Sequence, residues 1–377
     1  MRLLFYLMGC AAAFHAYFGW KIYQGFGRGK GLWLYLAWTA PFVFFPVVRY
    51  FEWLGNGRAS EVFFALTVWE YVMSGMVCSL AVLAEIARLL LWLWDKGAKT
   101  HKEDLLTPRR IVVFSLAAAC CVAAYGVYEA WDVRTVHLVF ASPKLPASVE
   151  KLRIVQISDI HIGGLYSARH LERVMTMVRE AEPDIFVVTG DLVDGNMASR
   201  EEEAELLSRH GAKLGAFAVT GNHEHYTGLD QALKFMERSG LTVLDDRAAE
   251  VAGITIVGLD DLTLVWPIGN PADTRGSRDR FVLLLRHRPH VIKTSRGKFD
   301  LQLSGHTHGG QLWPFGPLSE RLQGYTQGLS RQGDSFVYVS NGTGFWGPPM
   351  RLLAPPEVSV IDLIPAEGEG GACHIRR

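Results

Sequence analysis

The segment 152–161 reads LRIVQISDIH, an apolar, β-branched run that ends on an aspartate and a histidine. Such a run predicts a buried strand, and the polar residues mark the point where the strand ends. Four further apolar runs end at polar side chains in the same way: 185–189 (IFVVT), 216–220 (AFAVT), 281–285 (FVLLL) and 301–303 (LQL). Because amphipathic helical stretches separate these short runs, the sequence predicts an α/β domain over 151–363.

The side chains that follow these five runs are of the kinds that bind divalent metal ions. They are Asp159, His161, Asp191, Asn222, His287, His306 and His308. Ligands of open α/β sheets bind beyond the carboxyl ends of the strands, so we expect the seven side chains to converge on one edge. Asp159 and His161 are two residues apart, and an extended backbone would point both side chains to the same side.

Seven candidate ligands favour two ions over one. A single ion takes about four to six ligands, whereas two ions that share one carboxylate keep positions for water and substrate. No cysteine is among the candidates, which leaves Mn, Fe, Zn and Co as possible metals. The segment 286–290 (RHRPH) offers two histidines. His287, which is nearer to the strand end, is the predicted ligand rather than His290.

The first 128 residues are far more apolar than the rest of the chain. Four apolar runs predict transmembrane helices at about 3–23, 32–50, 64–93 and 111–128, since a bilayer core of ~30 Å needs roughly 20 apolar residues in a helix. Buried helices of a soluble protein are the alternative. Glu85 and Arg88 are three residues apart in the third run, so we expect them to pair on one helix face.

The segments on either side of the α/β domain show no clear periodicity. Residues 129–150 contain two prolines and are predicted to form a linker, and the glycine-rich residues 364–377 are predicted to be a disordered tail. Lysines and arginines are twice as frequent around the first and third connectors between the apolar runs as on the opposite side. The positive-inside rule therefore predicts a multi-pass protein of the cell membrane whose α/β domain is extracytoplasmic.

Composition excludes some classes of function. The chain has 377 residues and a formal net charge of zero, with 38 Lys and Arg against 38 Asp and Glu. Because there is no basic excess, we expect no nucleic-acid binding. The five cysteines include no CxxC pair, which argues against a disulfide framework or a thiolate zinc site.

The polar motifs, taken together, resemble those of the calcineurin-like metallophosphoesterase superfamily. The matching pieces are Asp159-Ile160-His161, Gly190-Asp191-Leu192-Val193-Asp194, Gly221-Asn222-His223-Glu224, His287 in a His-x-Pro, and Gly305-His306-Thr307-His308. The continuation through 309–311 (GGQ) and the later segment 341–349 (NGTGFWGPP) is similar to the bacterial phosphodiesterase branch. Apolar spans before such a domain resemble the membrane-anchored members of that branch.

The resemblance implies a four-layer α/β sandwich that follows an all-α transmembrane bundle. It also implies the division of the ligands between two ions. The first ion would be held by Asp159, His161, Asp191 and His308, and the second by Asp191, Asn222, His287 and His306. Asp191 would bridge the two ions, and His223 would be a catalytic residue rather than a ligand.

The sequence therefore predicts a dinuclear, metal-dependent phosphoesterase, preferably a phosphodiesterase, in which a metal-activated hydroxide attacks phosphorus. A phosphomonoesterase or a pyrophosphatase is the alternative among enzymes. Membrane anchoring favours a lipid-linked phosphoester as substrate and membrane lipids as partners. A metal-binding sensor or scaffold on a membrane bundle is the alternative of a different class. The sequence leaves the oligomeric state open.

Overall fold

The structure, a computed structural model, describes residues 2–27, 29–40, 57–98, 106–146, 148–163, 168–264, 280–325, 327–366 and 372–376. The α-helices are α1 (Arg2–Phe26), α2 (Gly57–Ala98), α3 (Pro108–Trp131), α4 (Ala168–Glu180), α5 (Glu201–Ser208), α6 (Asn222–Thr227), α7 (Leu229–Arg238) and α8 (Phe315–Gln323). Residues 29–40 are also helical. Short 3-10 turns lie at Lys293–Ser295 and His308–Gly310.

The strands form two sheets. The first sheet has seven strands: β1 (Arg134–Ser142), β2 (Leu152–Ile157), β3 (Ile185–Thr189), β4 (Gly215–Val219), β5 (Thr242–Val243), β12 (Glu357–Pro365) and β13 (Ala372–Arg376). Their order in the sheet is β13-β1-β12-β2-β3-β4-β5. The second contains β6 (Arg247–Val251), β7 (Ile254–Leu259), β8 (Val282–Arg286), β9 (Leu301–Ser304), β10 (Gly328–Gln332) and β11 (Ser335–Val339), in the order β10-β11-β9-β8-β7-β6.

The two sheets share a core, which confirms the predicted α/β class. One apolar cluster lies between them and joins residues such as Ile154 and Val187 of the first sheet to Leu283 and Leu303 of the second. A second cluster joins the first sheet to α4, α5 and α7. A third covers the other face of the second sheet and includes Ile292, beside the 3-10 turn Lys293–Ser295. The domain therefore has four layers: helices α4, α5 and α7, the first sheet, the second sheet, and short elements that cover the outer face of the second sheet.

Parallel pairing brings the important strand ends together. Strands β2, β3 and β4 pair in parallel in the first sheet, and β7, β8 and β9 do so in the second. The strands end within one residue of the ends of the apolar runs. The loops that follow β2, β3, β4, β8 and β9 carry all of the candidate ligands.

The linker predicted over 129–150 is wrong for most of its length. Helix α3 continues to Trp131, and Arg134–Ser142 forms β1, which pairs in parallel with β12. Alternate residues of β1, among them Leu138 and Phe140, enter the core between the sheets. This alternation is the period of a strand with one buried face, and the partner that stabilises it lies more than 200 residues later in the chain.

The tail predicted over 364–377 also differs from the structure. Strand β12 extends to Pro365, and Ala372–Arg376 forms β13, which pairs antiparallel with β1. A strand at this place needs the edge of β1 as its partner, and residues 134–142 were predicted to be part of a linker. The glycine-rich stretch 367–371 lies outside the described residues.

The N-terminal region contains long helices at three of the four predicted spans. Helices α1, α2 and α3 include the predicted segments 3–23, 64–93 and 111–128, whereas most of 32–50 lies outside the described residues. Among the described helices, Val68–Gly97 and Pro108–Trp131 are long and apolar enough to cross a membrane. Arg88 Nη1 lies 3.8 Å from Glu85 Oε2, which confirms the expected pair, and Lys21 also pairs with Glu85.

Candidate metal centre

The candidate ligands that follow five different strands meet in one pocket. One set contains Asp159, His161 and His308, and a second contains Asp191, His287 and His306. Within each set the ligand atoms lie within 4.8 Å of one another. Asn222 is the first residue of α6 and directly follows Gly221, whose backbone borders Asp191. The structure thus brings the predicted residues to one edge of the sheets.

The backbone at these residues is not extended. Asp159, His161, Asp191, His306 and His308 all have φ between 50° and 74°. The extended backbone predicted for Asp159 and His161 is therefore wrong. Left-handed geometry in a residue other than glycine costs about 1–3 kcal/mol and is concentrated at functional sites. Five such residues in one pocket indicate that the ligand positions are fixed by the surrounding structure.

Two glycines allow the loops to approach each other closely. A Cβ atom at Gly305 would lie 2.1 Å from Asp159 Oδ2, and one at Gly221 would lie 2.3 Å from Asp191 Oδ1. Any side chain at these positions would therefore displace a candidate ligand. The close approach also lets backbone amides reach the carboxylates: His306 N donates to Asp159 Oδ1 at 2.9 Å, and His223 N donates to Asp191 Oδ1 at 2.8 Å.

Asp191 and His287 form a buried ion pair. His287 Nε2 lies 3.1 Å from Asp191 Oδ2, and its Nδ1 donates to the carbonyl of Thr189 at 2.9 Å. Burial raises the pKa of Asp191, but the neighbouring imidazoles, His287 first, outweigh burial and hold the pKa well below its usual range. Burial lowers the pKa of His287, and Asp191 outweighs it so that the pKa is raised. The pocket around Asp191 therefore favours a positive charge.

The other candidate histidines are neutral near neutral pH. Burial is the main cause that lowers the pKa of His161 to about 4 and that of His306 to about 3, and neighbouring positive groups add to it. The pKa of His308 is lowered well below its usual value for the same reasons. Neutral imidazoles offer a ring nitrogen lone pair to a metal ion.

Several polar contacts in the pocket are explained if a pair of metal ions is bound there. His161 Nε2 faces His308 Nε2 at 3.1 Å, and His306 Nδ1 faces His287 Nε2 at the same distance. The buried Oδ1 of Asn222 has no hydrogen-bond partner among the described residues. A buried acceptor is normally satisfied, and amide oxygen, imidazole nitrogen and carboxylate suit borderline divalent metals. The donor set therefore fits such ions.

His223 borders both sets of ligands. Its Nδ1 lies 3.1 Å from Asp194 Oδ1, and its ring meets that of His161 edge to face, with centroids 4.5 Å apart. Burial lowers the pKa of His223, but the hydrogen bond to Asp194 and nearby carboxylates outweigh burial and raise it. His290 does not join the site, because its Nε2 lies 3.2 Å from Arg286 Nη2.

Glu224 connects two of the ligand loops. Its buried carboxylate accepts hydrogen bonds from the backbone amides of Gly221, Asp191, Leu192 and Val193, at 2.6 to 3.1 Å. The Gly-Asn-His-Glu motif offered a signal, since a glutamate three residues after a helix N-cap commonly accepts a hydrogen bond from the N-cap amide.

Two arginines at the site, Arg351 and Arg288, were not predicted from the sequence. Arg351 is buried and donates to the carbonyls of Asn341, Gly344 and Ala354, while its Nη2 lies 3.2 Å from His308 Nδ1. Arg288 Nε donates to both carboxylate oxygens of Asp261, at 2.8 and 3.0 Å. A single sequence gave no signal for Arg351, which lies 43 residues after the ligand that it contacts. Arg288 lies in the segment 286–290, directly after His287, but only the histidines of that segment were considered as site residues.

Comparisons with known proteins agree with this geometry. A model of the calcineurin-like phosphoesterase family matches residues 152–310. The chain is 36% identical over 258 residues to an uncharacterized metallophosphoesterase of Aquifex aeolicus, with 65% of this chain and 97% of that protein covered. It is 34% identical over 277 residues to an uncharacterized metallophosphoesterase, YkuE, of Bacillus subtilis, with 67% and 94% covered.

A further relative is named as a transmembrane protein. The chain is 34% identical over 275 residues to a transmembrane protein with metallophosphoesterase domain from Danio rerio. The alignment covers 67% of this chain and 63% of that protein. Together with the two apolar helices, this likeness supports an association of the chain with a membrane.

Proposed function

The chain belongs to the calcineurin-like metallophosphoesterases, which hydrolyse phosphoric ester bonds with the help of metal ions, and we propose that it is a membrane-anchored, dinuclear phosphodiesterase. The observation that carries the proposal is the convergence of two sets of imidazoles and carboxylates from five strand ends. Two ions close together suit an in-line displacement at phosphorus.

The proposed ligands divide between the ions as follows. Asp159, His161, Asp191 and His308 would hold the first, and Asp191, Asn222, His287 and His306 would hold the second. The division is supported by the two sets of ligand atoms within 4.8 Å. The bridging role of Asp191 is supported by its Oδ2, which lies 3.1 Å from His287 Nε2 and 3.9 Å from His161 Nε2.

When bound, two divalent ions lower the pKa of a coordinated water and offset negative charge on the phosphoryl group. The residues of the chain supply the rest of the chemistry. Asp194 orients the ring of His223 through Nδ1 and favours its protonated form. His223 then donates a proton to the leaving alkoxide, a contribution of typically ~10²–10⁴-fold.

Arg288 is proposed to bind a phosphoryl oxygen. Asp261 holds the guanidinium through Nε, which leaves the two terminal amino groups to face other partners. The positive charge of Arg288 contributes to the lowered pKa of His306, so the guanidinium lies within electrostatic reach of the second set of ligands. Guanidinium groups bind phosphate oxygens with well-defined geometry.

The proposal also includes the location and the class of substrate. Residues 1–128 form the membrane region with about four spans, and the catalytic domain is extracytoplasmic, as the distribution of basic residues favours. The preferred substrate is a phosphodiester that is linked to a lipid, and membrane lipids are partners. A catalytic domain that continues directly from α3 favours a substrate at the membrane surface.

The first experiment measures metal-dependent hydrolysis by the full chain in detergent. With Mn²⁺ we expect release of p-nitrophenol from bis(p-nitrophenyl) phosphate at a higher kcat/KM than from p-nitrophenyl phosphate, and loss of both activities with EDTA. His287→Ala should abolish hydrolysis, whereas the matched control His290→Gln should retain it. A preference for the monoester would contradict the diesterase proposal, and activity that persists in EDTA would contradict the metal proposal.

A further inference from the structure

A cluster of exposed apolar side chains lies beside the candidate metal centre. Its members, which we call the aromatic rim, are Trp313, Phe315, Leu318, Trp346 and Leu353, and each is 44–61% exposed. Single exposed apolar residues are ordinary on a protein surface, but a group of them on adjoining segments marks an interaction surface. None of the five side chains is needed to hold a metal ion.

Backbone and side-chain hydrogen bonds hold the two segments of the rim together. Leu352 N donates to Gln311 O at 2.8 Å, and Trp313 N donates to Leu352 O at 2.9 Å. The side chain of Gln311 donates to the carbonyl of Trp346 at 2.8 Å and accepts from its amide at 3.0 Å. The rim is therefore a defined surface rather than a set of independent loop tips.

The rim borders the site at which the ester would be cleaved. The ring of Trp346 lies 6.1 Å from that of His223, measured between centroids. The rim also adjoins the last ligand loop, because Gly310, two residues after His308, lies against the backbone of Gly316 within α8. A molecule that rests on the rim would thus present a polar group near His223.

The supporting layer of the rim contains the end of a candidate membrane span. Trp131 is the last residue of α3, and its ring packs edge to face against that of Phe345, with centroids 5.6 Å apart. Phe345 is buried and directly precedes Trp346. Ala130, the residue before Trp131, is fully buried in the core of the catalytic domain.

These observations favour a lipid bilayer as the occupant. Tryptophan and other aromatic side chains prefer the headgroup level of a bilayer, where Trp131 would lie as the terminal residue of a span. The neighbouring rim combines tryptophan, phenylalanine and leucine, which is the composition of surfaces that enter the interface. We propose that the aromatic rim docks on the headgroup region of the bilayer and receives an amphipathic phosphodiester from it. This inference rests on the proposed function and names the route by which its substrate arrives.

The test is photolabelling of the unmodified full chain by lipid. The chain is reconstituted with Mn²⁺ in nanodiscs of equal parts phosphatidylcholine and phosphatidylglycerol that contain a phosphatidylcholine with a diazirine near the glycerol end of its acyl chain. After photolysis, mass spectrometry should find labelled lipid on the peptides that contain 313–318 and 346–353. The internal reference is Leu214, which is 47% exposed and lies just before the amino end of β4, away from the site.

Variants sharpen the measurement. Trp313→Ser combined with Phe315→Ser should lower labelling of 346–353 several-fold, Trp313→Tyr should retain it, and the matched surface control Leu214→Ser should leave it unchanged. Labelling of the rim at or below the level of Leu214 in the unmodified chain would overturn the proposal. If the rim is labelled no more than Leu214 and chemical cross-links join the rims of two chains, the partner of the rim is a second copy of the chain and not the bilayer.

Hydrolysis of bis(p-nitrophenyl) phosphate in the same nanodiscs separates this inference from the proposed function. Labelled rim peptides in a chain without metal-dependent hydrolysis would support docking and contradict the phosphodiesterase. Hydrolysis without labelling at the rim would support the enzyme and contradict docking.

Discussion

Asp191 is the residue on which both sets of ligands depend. Its carboxylate lies beside His287 and within 3.9 Å of His161, and it accepts a hydrogen bond from the amide of His223. No other described carboxylate contacts histidines from both sets in this way; Asp159 contacts His308 and the backbone of His306. A change at Asp191 should therefore affect both proposed ions and His223, the proposed catalytic residue, together.

We expect Asp191→Asn to lower kcat/KM for bis(p-nitrophenyl) phosphate by more than ~100-fold, because even residues that only orient metal ligands cost ~10–100-fold when they are changed. The measurement is steady-state hydrolysis with saturating Mn²⁺. The control is Asp230→Asn, a change on the exposed face of α7, where Asp230 pairs with Lys234. Near wild-type turnover in Asp191→Asn would show that this carboxylate bridges nothing.

In the proposed mechanism, Asp194 acts through His223 and belongs to neither of the two proposed ligand sets. Asp194→Asn removes the charge that orients the imidazole and favours its proton. We expect kcat to fall ~10- to 100-fold, as for other residues that orient a functional side chain, with KM and bound metal unchanged. Loss of metal from this variant would instead make Asp194 a ligand, since it lies within one group with His161 and His223.

At the scale of elements, the fold places a functional side chain at the end of each central strand. This part was predictable, because β-branched runs identify strands and ligand-type residues followed five of them. The conformation expected for Asp159 and His161 was wrong, since both residues adopt left-handed backbone angles. Such angles depend on neighbouring loops, which a reading of local pattern does not include.

The elements that were missed have distant partners. Strand β1 pairs with β12 across the length of the domain, and β13 pairs with β1 in turn. Arg351 contacts His308 from a loop that follows β11. In each case the stabilising contact joins segments that are far apart in sequence, so neither periodicity nor motif spacing contains the information.

Glu224 connects the loop after β3 to the start of α6. In Glu224→Gln, one amide oxygen must replace a carboxylate that accepts four backbone hydrogen bonds, and the new NH₂ group faces donors. Buried donors left without a partner cost about 1–3 kcal/mol each, so we expect the free energy of unfolding of the catalytic domain to fall by ~2–4 kcal/mol.

The measurement is chemical denaturation of the full chain, followed by a signal from the catalytic domain. The matched control is Glu203→Gln, which changes another buried glutamate that pairs with Arg200 at 3.1 Å. Equal losses in the two variants would mean that Glu224 contributes no more than an ordinary buried carboxylate.

At the scale of the molecule, the catalytic domain carries a pocket with an excess of buried polar groups. Metal ions that bind the folded chain only should stabilise it by ~2.7 kcal/mol when their concentration is 100 times Kd. We expect Mn²⁺ to raise the Tm of the domain and EDTA to lower it again. Mg²⁺, which favours oxygen ligands, should raise it less. An unchanged Tm with Mn²⁺ would contradict binding at this pocket.

The central claim is that one pocket holds two metal ions through two overlapping sets of ligands. The most direct measurement is the number of Mn²⁺ ions retained per full-length chain, determined by elemental mass spectrometry after dialysis. We predict two ions in the wild type, one in His306→Ala, one in His308→Ala and fewer than one in Asp191→Asn. A wild-type chain that retains a single ion, or none under any loading condition, would contradict the claim.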